Sequence, residues 1–94
     1  MHVGICRIWL TIPESHSLKQ KRQVVKSITD RLKNRFNIAV AEVDALDAHQ
    51  QAILGVVSVS NDSQHLNRVL SHVINFVEDT HLAELTDYEI EMLF

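Results

Sequence analysis

Cysteine occurs once, at Cys6, so no disulfide can form within the chain. That usage fits a reducing compartment. Proline also occurs once, at Pro13, and glycine twice, at Gly4 and Gly55. No low-complexity stretch or linker interrupts the chain. Aromatic residues make up 5% of it, which lacks the aromatic-rich signature of an RNA recognition motif and leaves Trp9 as thin support for base stacking. No apolar run reaches the roughly 18 residues of a membrane span, since Arg7 breaks the one near the start. No segment resembles a signal peptide. The expectation is a cytoplasmic protein without membrane contact. Walker loops, dinucleotide fingerprints and hydrolase elbows are missing, so no cofactor is implied. Gly4 and Gly55 fall inside strand-like segments, where they permit close packing rather than cradle a phosphate.

What is present reads as one domain over residues 1–94. Nearly half the residues, 46%, are apolar, which argues against disorder. So short a chain buries a modest fraction of its surface, and oligomerisation is a common way to bury more.

Residues 2–12 read as a strand, with Gly4, Cys6, Ile8, Leu10 and Ile12 on one face and Val3, Ile5, Arg7, Trp9 and Thr11 on the other. Pro13 ends it. Ser17 then fits a helix N-cap, with Gln20 completing a capping box. The helix runs to about Phe36 on an apolar stripe of Leu18, Val25, Ile28 and Leu32. Residues 38–45 and 52–60 read as two strands joined by a short loop around Asp47 to Gln50, an antiparallel hairpin. Asn61 or Ser63 is positioned to cap a second helix carrying Leu66, Val69, Leu70, Val73 and Val77. A last strand follows Leu85, with Tyr88, Ile90, Met92 and Phe94 alternating with Glu89, Glu91 and Leu93. The order is β-α-β-β-α-β. Its compact solution is α+β and ferredoxin-like: a four-stranded antiparallel sheet with both helices on one face. Right-handed crossovers put strands one and three in the centre. One sheet face is left uncovered, with Trp9 or its neighbours on it, and exposed apolar area of that kind usually meets a partner.

The opening strand, Ile12-Pro13 and the segment Ser17-Leu18-Lys19-Gln20-Lys21-Arg22 resemble the YlxP-like family of small bacterial proteins. Ala41-Glu42-Val43, Leu54-Gly55-Val56 and Ser60-Asn61-Asp62 match the same family in order and spacing, so the resemblance covers essentially the whole chain. It implies a domain of unknown function with a ferredoxin-like fold, and no established activity, cofactor or catalytic residue. The family's genes often lie near those of transcription and translation factors, which implies RNA or ribosome work by association. One departure is His49, where relatives often carry an aromatic.

The net charge of −3 hides an asymmetry. Lys19, Lys21, Arg22, Lys26, Arg31, Lys33 and Arg35 share residues 17–36 with Asp30 alone. The tail carries Glu78, Asp79, Glu84, Asp87, Glu89 and Glu91 and no base. At about 100° per residue, Lys19, Arg22, Lys26 and Lys33 fall within an arc of about 60°, a line of charge on the order of 20 Å long. Such a line can follow the phosphates of a nucleic acid. Lys19, Lys21 and Arg22 also crowd the helix start against its dipole, where free N–H groups favour anions. Lys19, Lys21, Arg22, Lys26 and Lys33 are the candidate anion- or RNA-binding residues. The competing reading is a solvated basic face, or one paired with the acidic tail. Glu89 and Glu91 fit the charge that protects an edge strand.

A weaker candidate is the polar hairpin of Glu42, Asp44, Asp47 and His49, where carboxylates and a histidine are able to hold a divalent cation or exchange protons. The spacing matches no motif, and a plain polar loop explains it as well. His65 and His72 lie roughly 10 Å apart along their helix, too far to share one ion, and Cys6 has no neighbouring zinc ligand. Three readings stand at this point: a non-enzymatic RNA- or ribosome-associated module, a homodimerising or protein-interaction domain using the open sheet, and a small-ligand sensor or enzyme centred on the hairpin.

Overall fold

The computed structural model covers all 94 residues. In chain order the elements are β1 (His2–Thr11), α1 (Leu18–Arg35), β2 (Ala39–Asp44), β3 (Gln51–Ser60), α2 (Ser63–Asp79) and β4 (Glu84–Met92). The strands form one sheet in the order β2-β3-β1-β4, every neighbouring pair antiparallel. The two halves of the chain interleave, and β1 and β3 become the centre, as the crossover rule requires.

The strand alternation decides the core. Cys6, Ile8, Leu10 and Ile12 meet Ala52, Leu54 and Val56 under the helices, and all are buried. Val25, Ile28 and Leu32 of α1 and Leu66, Leu70, Val73, Ile74 and Val77 of α2 close the same core. α1 packs on β2 and β3, and α2 on β1, β3 and β4. At the far end of α1, the Phe36 and Phe76 rings meet edge to face at 5.8 Å. Arg35 lies over the Phe76 ring at 5.3 Å, a geometry that suits the cation to the ring quadrupole. Cys6 is 1% exposed, and burial, with a smaller contribution from the Glu89 charge, pushes its thiol up to about 11.

The helix ends follow from local chemistry. Ser17 Oγ accepts the Gln20 N–H at 3.1 Å, as the capping box predicts. Gln20 Oε1 turns back to the His16 N–H, one residue before the cap. Phe36 donates its N–H to Leu32 and stops α1. At α2 the structure corrects the expectation of Asn61 or Ser63. The N-cap is Asp62, whose Oδ1 accepts from the N–H groups of Gln64 at 2.9 Å and His65 at 3.2 Å. These bonds hold its carboxyl below the usual carboxylate range, the His65 bond foremost. Opposite β1, β4 carries a bulge between Trp9 and Leu10. Thr86, the extra residue, donates its hydroxyl to the Trp9 carbonyl at 3.1 Å, which holds the edge in register below the bulge.

Candidate functional site

The basic helix divides into two chemistries. Lys21 is fully buried, 0% exposed. Its Nζ donates to Glu42 Oε2 at 2.8 Å, to the Ala45 carbonyl at 2.9 Å, and to the Leu46 and Gln51 carbonyls at 3.2 Å each. The ammonium therefore ties α1 to both ends of the β2–β3 loop, where Ala45 sits at a φ of 58°. A buried charge is tolerable only when paired and hydrogen-bonded in this way. Lys21 is thus removed from the anion-binding candidates: it has no solvent access and its donors are taken. The expected convergence of Lys19, Lys21 and Arg22 at the helix start does not occur. Part of the start is also occupied from within, by Ser17 Oγ and by the Lys21 N–H bonded to the Ser17 carbonyl.

The rest of the row is accessible. Lys19, Arg22, Lys26 and Lys33 are all exposed and lie on one side of the buried stripe. Lys26 pairs with Asp30 at 2.6 Å across one helical turn, and this bond, more than the general field of Lys26 and Lys33, holds the Asp30 carboxyl low. Arg31 and Arg35 are exposed on the opposite flank of the helix. Lys19, Arg22 and Lys33 form no ion pair with an acid of the chain. The acidic tail does not reach them, because β4 lies at the other edge of the sheet from β2, against which α1 packs.

The polar hairpin does not assemble. Glu42 turns inward to Lys21, while Asp44 Oδ1 accepts the N–H of Ala45 at 2.7 Å. Asp47 and His49 are exposed on the loop. No three His, Cys, Asp or Glu side chains converge to hold a metal ion.

The open sheet face holds a surface that the opening strand only hinted at. Its rows, read across the paired strands from β2 to β4, run Ala39–Val57–Ile5–Glu91, Ala41–Gly55–Arg7–Glu89 and Asp44–Ile53–Trp9–Asp87. Val59 and Val3 continue the apolar field beyond them. Val43, 54% exposed, leans over Gly55, where an added Cβ would lie 2.8 Å from its Cγ1. Between them is a shallow depression of about 450 Å³ lined chiefly by Ile5, Ala39, Ala41, Val43 and Val57. Arg7 is the face's cation, and it is held by Glu89 at 2.6 Å. The phase opposite to Leu54 and Val56 along β3 was the available signal for Val57 and Val59.

Four antiparallel strands in the order β2-β3-β1-β4, with two helices packed on one side, define a ferredoxin-like α+β protein. Within that class, the chain belongs to the family described as "Protein of unknown function (DUF503)", whose model matches residues 3–90. It is 30% identical over 76 residues to the uncharacterized protein YlxP of Bacillus subtilis (strain 168), covering 81% of this chain and 83% of that one. Among solved structures it resembles SnoaB, a cofactor-independent oxygenase from Streptomyces nogalater, with a TM-score of 0.57 at 12% identity, over 100% of this chain and 93% of that one. It resembles the de novo designed protein Foldit4 with a TM-score of 0.56, also at 12% identity, over 100% and 98% of the two chains. A natural oxygenase and a designed chain match equally well, so these likenesses show the fold and carry no activity. No helix is long and apolar enough to cross a membrane.

Proposed function

We propose that this chain is a non-enzymatic, cytoplasmic binding module that engages RNA, in the setting of the ribosome, along the exposed face of α1. The observation that carries the reading is the row Lys19, Arg22, Lys26 and Lys33: exposed, of one sign, and opposed by a single acid, Asp30. The row spans on the order of 20 Å, enough for several phosphates. The acids of β4 lie across the molecule, so the field over α1 stays positive despite the net charge of −3. The absence of Lys21 from the row sharpens the reading, because the contact becomes a line along the helix rather than a pocket at its start. An enzymatic reading loses support in proportion, since Glu42 and Asp44 are engaged in structural bonds.

The test is fluorescence anisotropy with a labelled single-stranded RNA, alongside cosedimentation with purified ribosomes. Binding that weakens with salt, and is lost when Lys19, Arg22, Lys26 and Lys33 are all changed to Ala, is the expected result. Absence of salt-sensitive binding to both probes, or full retention by the folded fourfold variant, would refute the proposal.

A further inference from the structure

We infer that the open sheet face is the contact surface for a second copy of this chain, packed face to face so that two sheets form the centre and the helices of each copy lie outside. The field on β2, β3 and β1 is apolar at Ala39, Val43, Ile53, Val57, Val59 and Ile5, with Val57 and Val59 38% and 56% exposed, and is interrupted by Arg7 of β1 and Asp44 of β2. Two of its strands have 10 residues and one has 6. At ~4.8 Å between strands and ~3.3 Å per residue the field projects to roughly 400 Å². In projection two copies would bury roughly 800 Å², the scale of a weak, concentration-dependent contact rather than an obligate one.

Charge selects this occupant and its orientation. Asp87, Glu89 and Glu91 line the β4 side of the face, so a nucleic-acid strand laid across it would meet like charge. A single partner helix, about 10 Å wide, would cover only about two strands of the field. A second sheet covers it all, with layers about 10 Å apart. Two-fold axes in the plane of the interface offer two arrangements. An axis across the strands stacks β4 on β4 and sets acid against acid. An axis along the strands, over β3, lays β2 of one copy over β1 of its partner and leaves the two β4 strands at opposite rims in water. The second arrangement sets the β3 valines at an apolar centre and the acids of β4 at the rim, the common anatomy of an interface, and leaves Arg7 beneath the partner's β2 with its charge already met by Glu89. It keeps α1 of both copies outward, so the RNA-binding proposal stands or falls separately.

Sedimentation equilibrium of the purified chain over a micromolar concentration series tests this directly. The expected species has twice the chain mass of 10.7 kDa. Val57→Lys and Val59→Lys each place a charge in the centre twice per dimer, and each should raise the dissociation constant about tenfold or more, with far-UV circular dichroism unchanged. Glu91→Lys, at the rim, should change it less than about threefold at moderate salt. A monomer throughout the series overturns the inference, as does a dimer indifferent to both valine changes in folded variants. Marked tightening by Glu91→Lys would mean that β4 faces β4. Loss of single-stranded RNA binding on Val57→Asp in a folded variant, with the fourfold α1 variant still binding, would assign the face to RNA instead.

Discussion

Lys21 Nζ stands 2.8 Å from Glu42 Oε2, with the lysine side chain fully buried and the glutamate 14% exposed. Three backbone carbonyls complete the ammonium's surroundings. The pair joins α1 to β2 and pins the loop that follows. Lys21→Met keeps most of the stem's volume and takes the ammonium from the carboxylate and from three carbonyls, of which Ala45 keeps the Ala48 N–H. Breaking a buried pair from one side costs about 3–5 kcal/mol, a large share of the stability of so small a chain. Urea unfolding should show that loss, and Lys21→Met combined with Glu42→Leu should recover part of it. An unchanged midpoint in Lys21→Met would mean that the ammonium is solvated.

The same lysine shows where a sequence reading succeeds and where it stops. The strand and helix order, the central place of β1 and β3, and the Ser17 cap follow from alternation, helical spacing and side-chain chemistry that act locally. Charge alone groups Lys21 with its basic neighbours, although its position falls between Leu18, Val25, Ile28 and Leu32 on the helical wheel. Phase held the signal, but its buried role depends on Glu42 and three carbonyls that only the fold brings together. Asn61, Asp62 and Ser63 are adjacent and can all cap, so the choice of Asp62 rests on the backbone geometry at each one, which the sequence does not display. The open sheet face was legible in β1. Its division into an apolar field and an acidic rim required the registers of β2 and β4.

The two glycines should respond differently to the same methyl group. A Cβ on Gly4 would lie 2.9 Å from Leu70 Cδ1, 3.1 Å from Met92 Sδ and 3.3 Å from Leu66 Cδ2. Leu66 and Leu70 are both 0% exposed and have nowhere to move, so Gly4→Ala should cost about 1–3 kcal/mol by overpacking. On Gly55 the Cβ would meet Val43 alone, a side chain open to solvent that is able to turn aside. Gly55→Ala should therefore cost less than about 1 kcal/mol. Parallel denaturant titrations decide it, and equal losses would contradict the packing account.

Asp62 makes the stability of α2 dependent on pH. Its carboxyl is held below the usual carboxylate range, chiefly by the His65 N–H and then by that of Gln64. A depressed folded pKa contributes stability that is fully present above the unfolded value and is lost as pH falls through the folded one. Asp62→Ala should thus lower the thermal midpoint at neutral pH, with the gap closing as the pH drops below about 4. Thermal melts of both proteins from neutral to acid would show it. A gap constant with pH would mean that the charge plays no part in the cap.

Salt dependence can identify which helix cations touch RNA. Each single-strand phosphate neutralised adds about −0.7 to the slope of log K against log salt, so contacts from Lys19, Arg22, Lys26 and Lys33 together predict a slope of about −3. Changing Arg22 and Lys26 to Ala should bring it to about −1.4. Asp30→Asn releases Lys26 from its 2.6 Å bond and should strengthen binding a few-fold at low salt. Lys21→Met, assayed where it remains folded, should leave the slope unchanged because its ammonium never meets solvent. Titrations at four salt concentrations give all of these numbers. If Lys21→Met flattened the slope while Arg22→Ala did not, the interface would lie at the helix start and the row along α1 would be a solvated face.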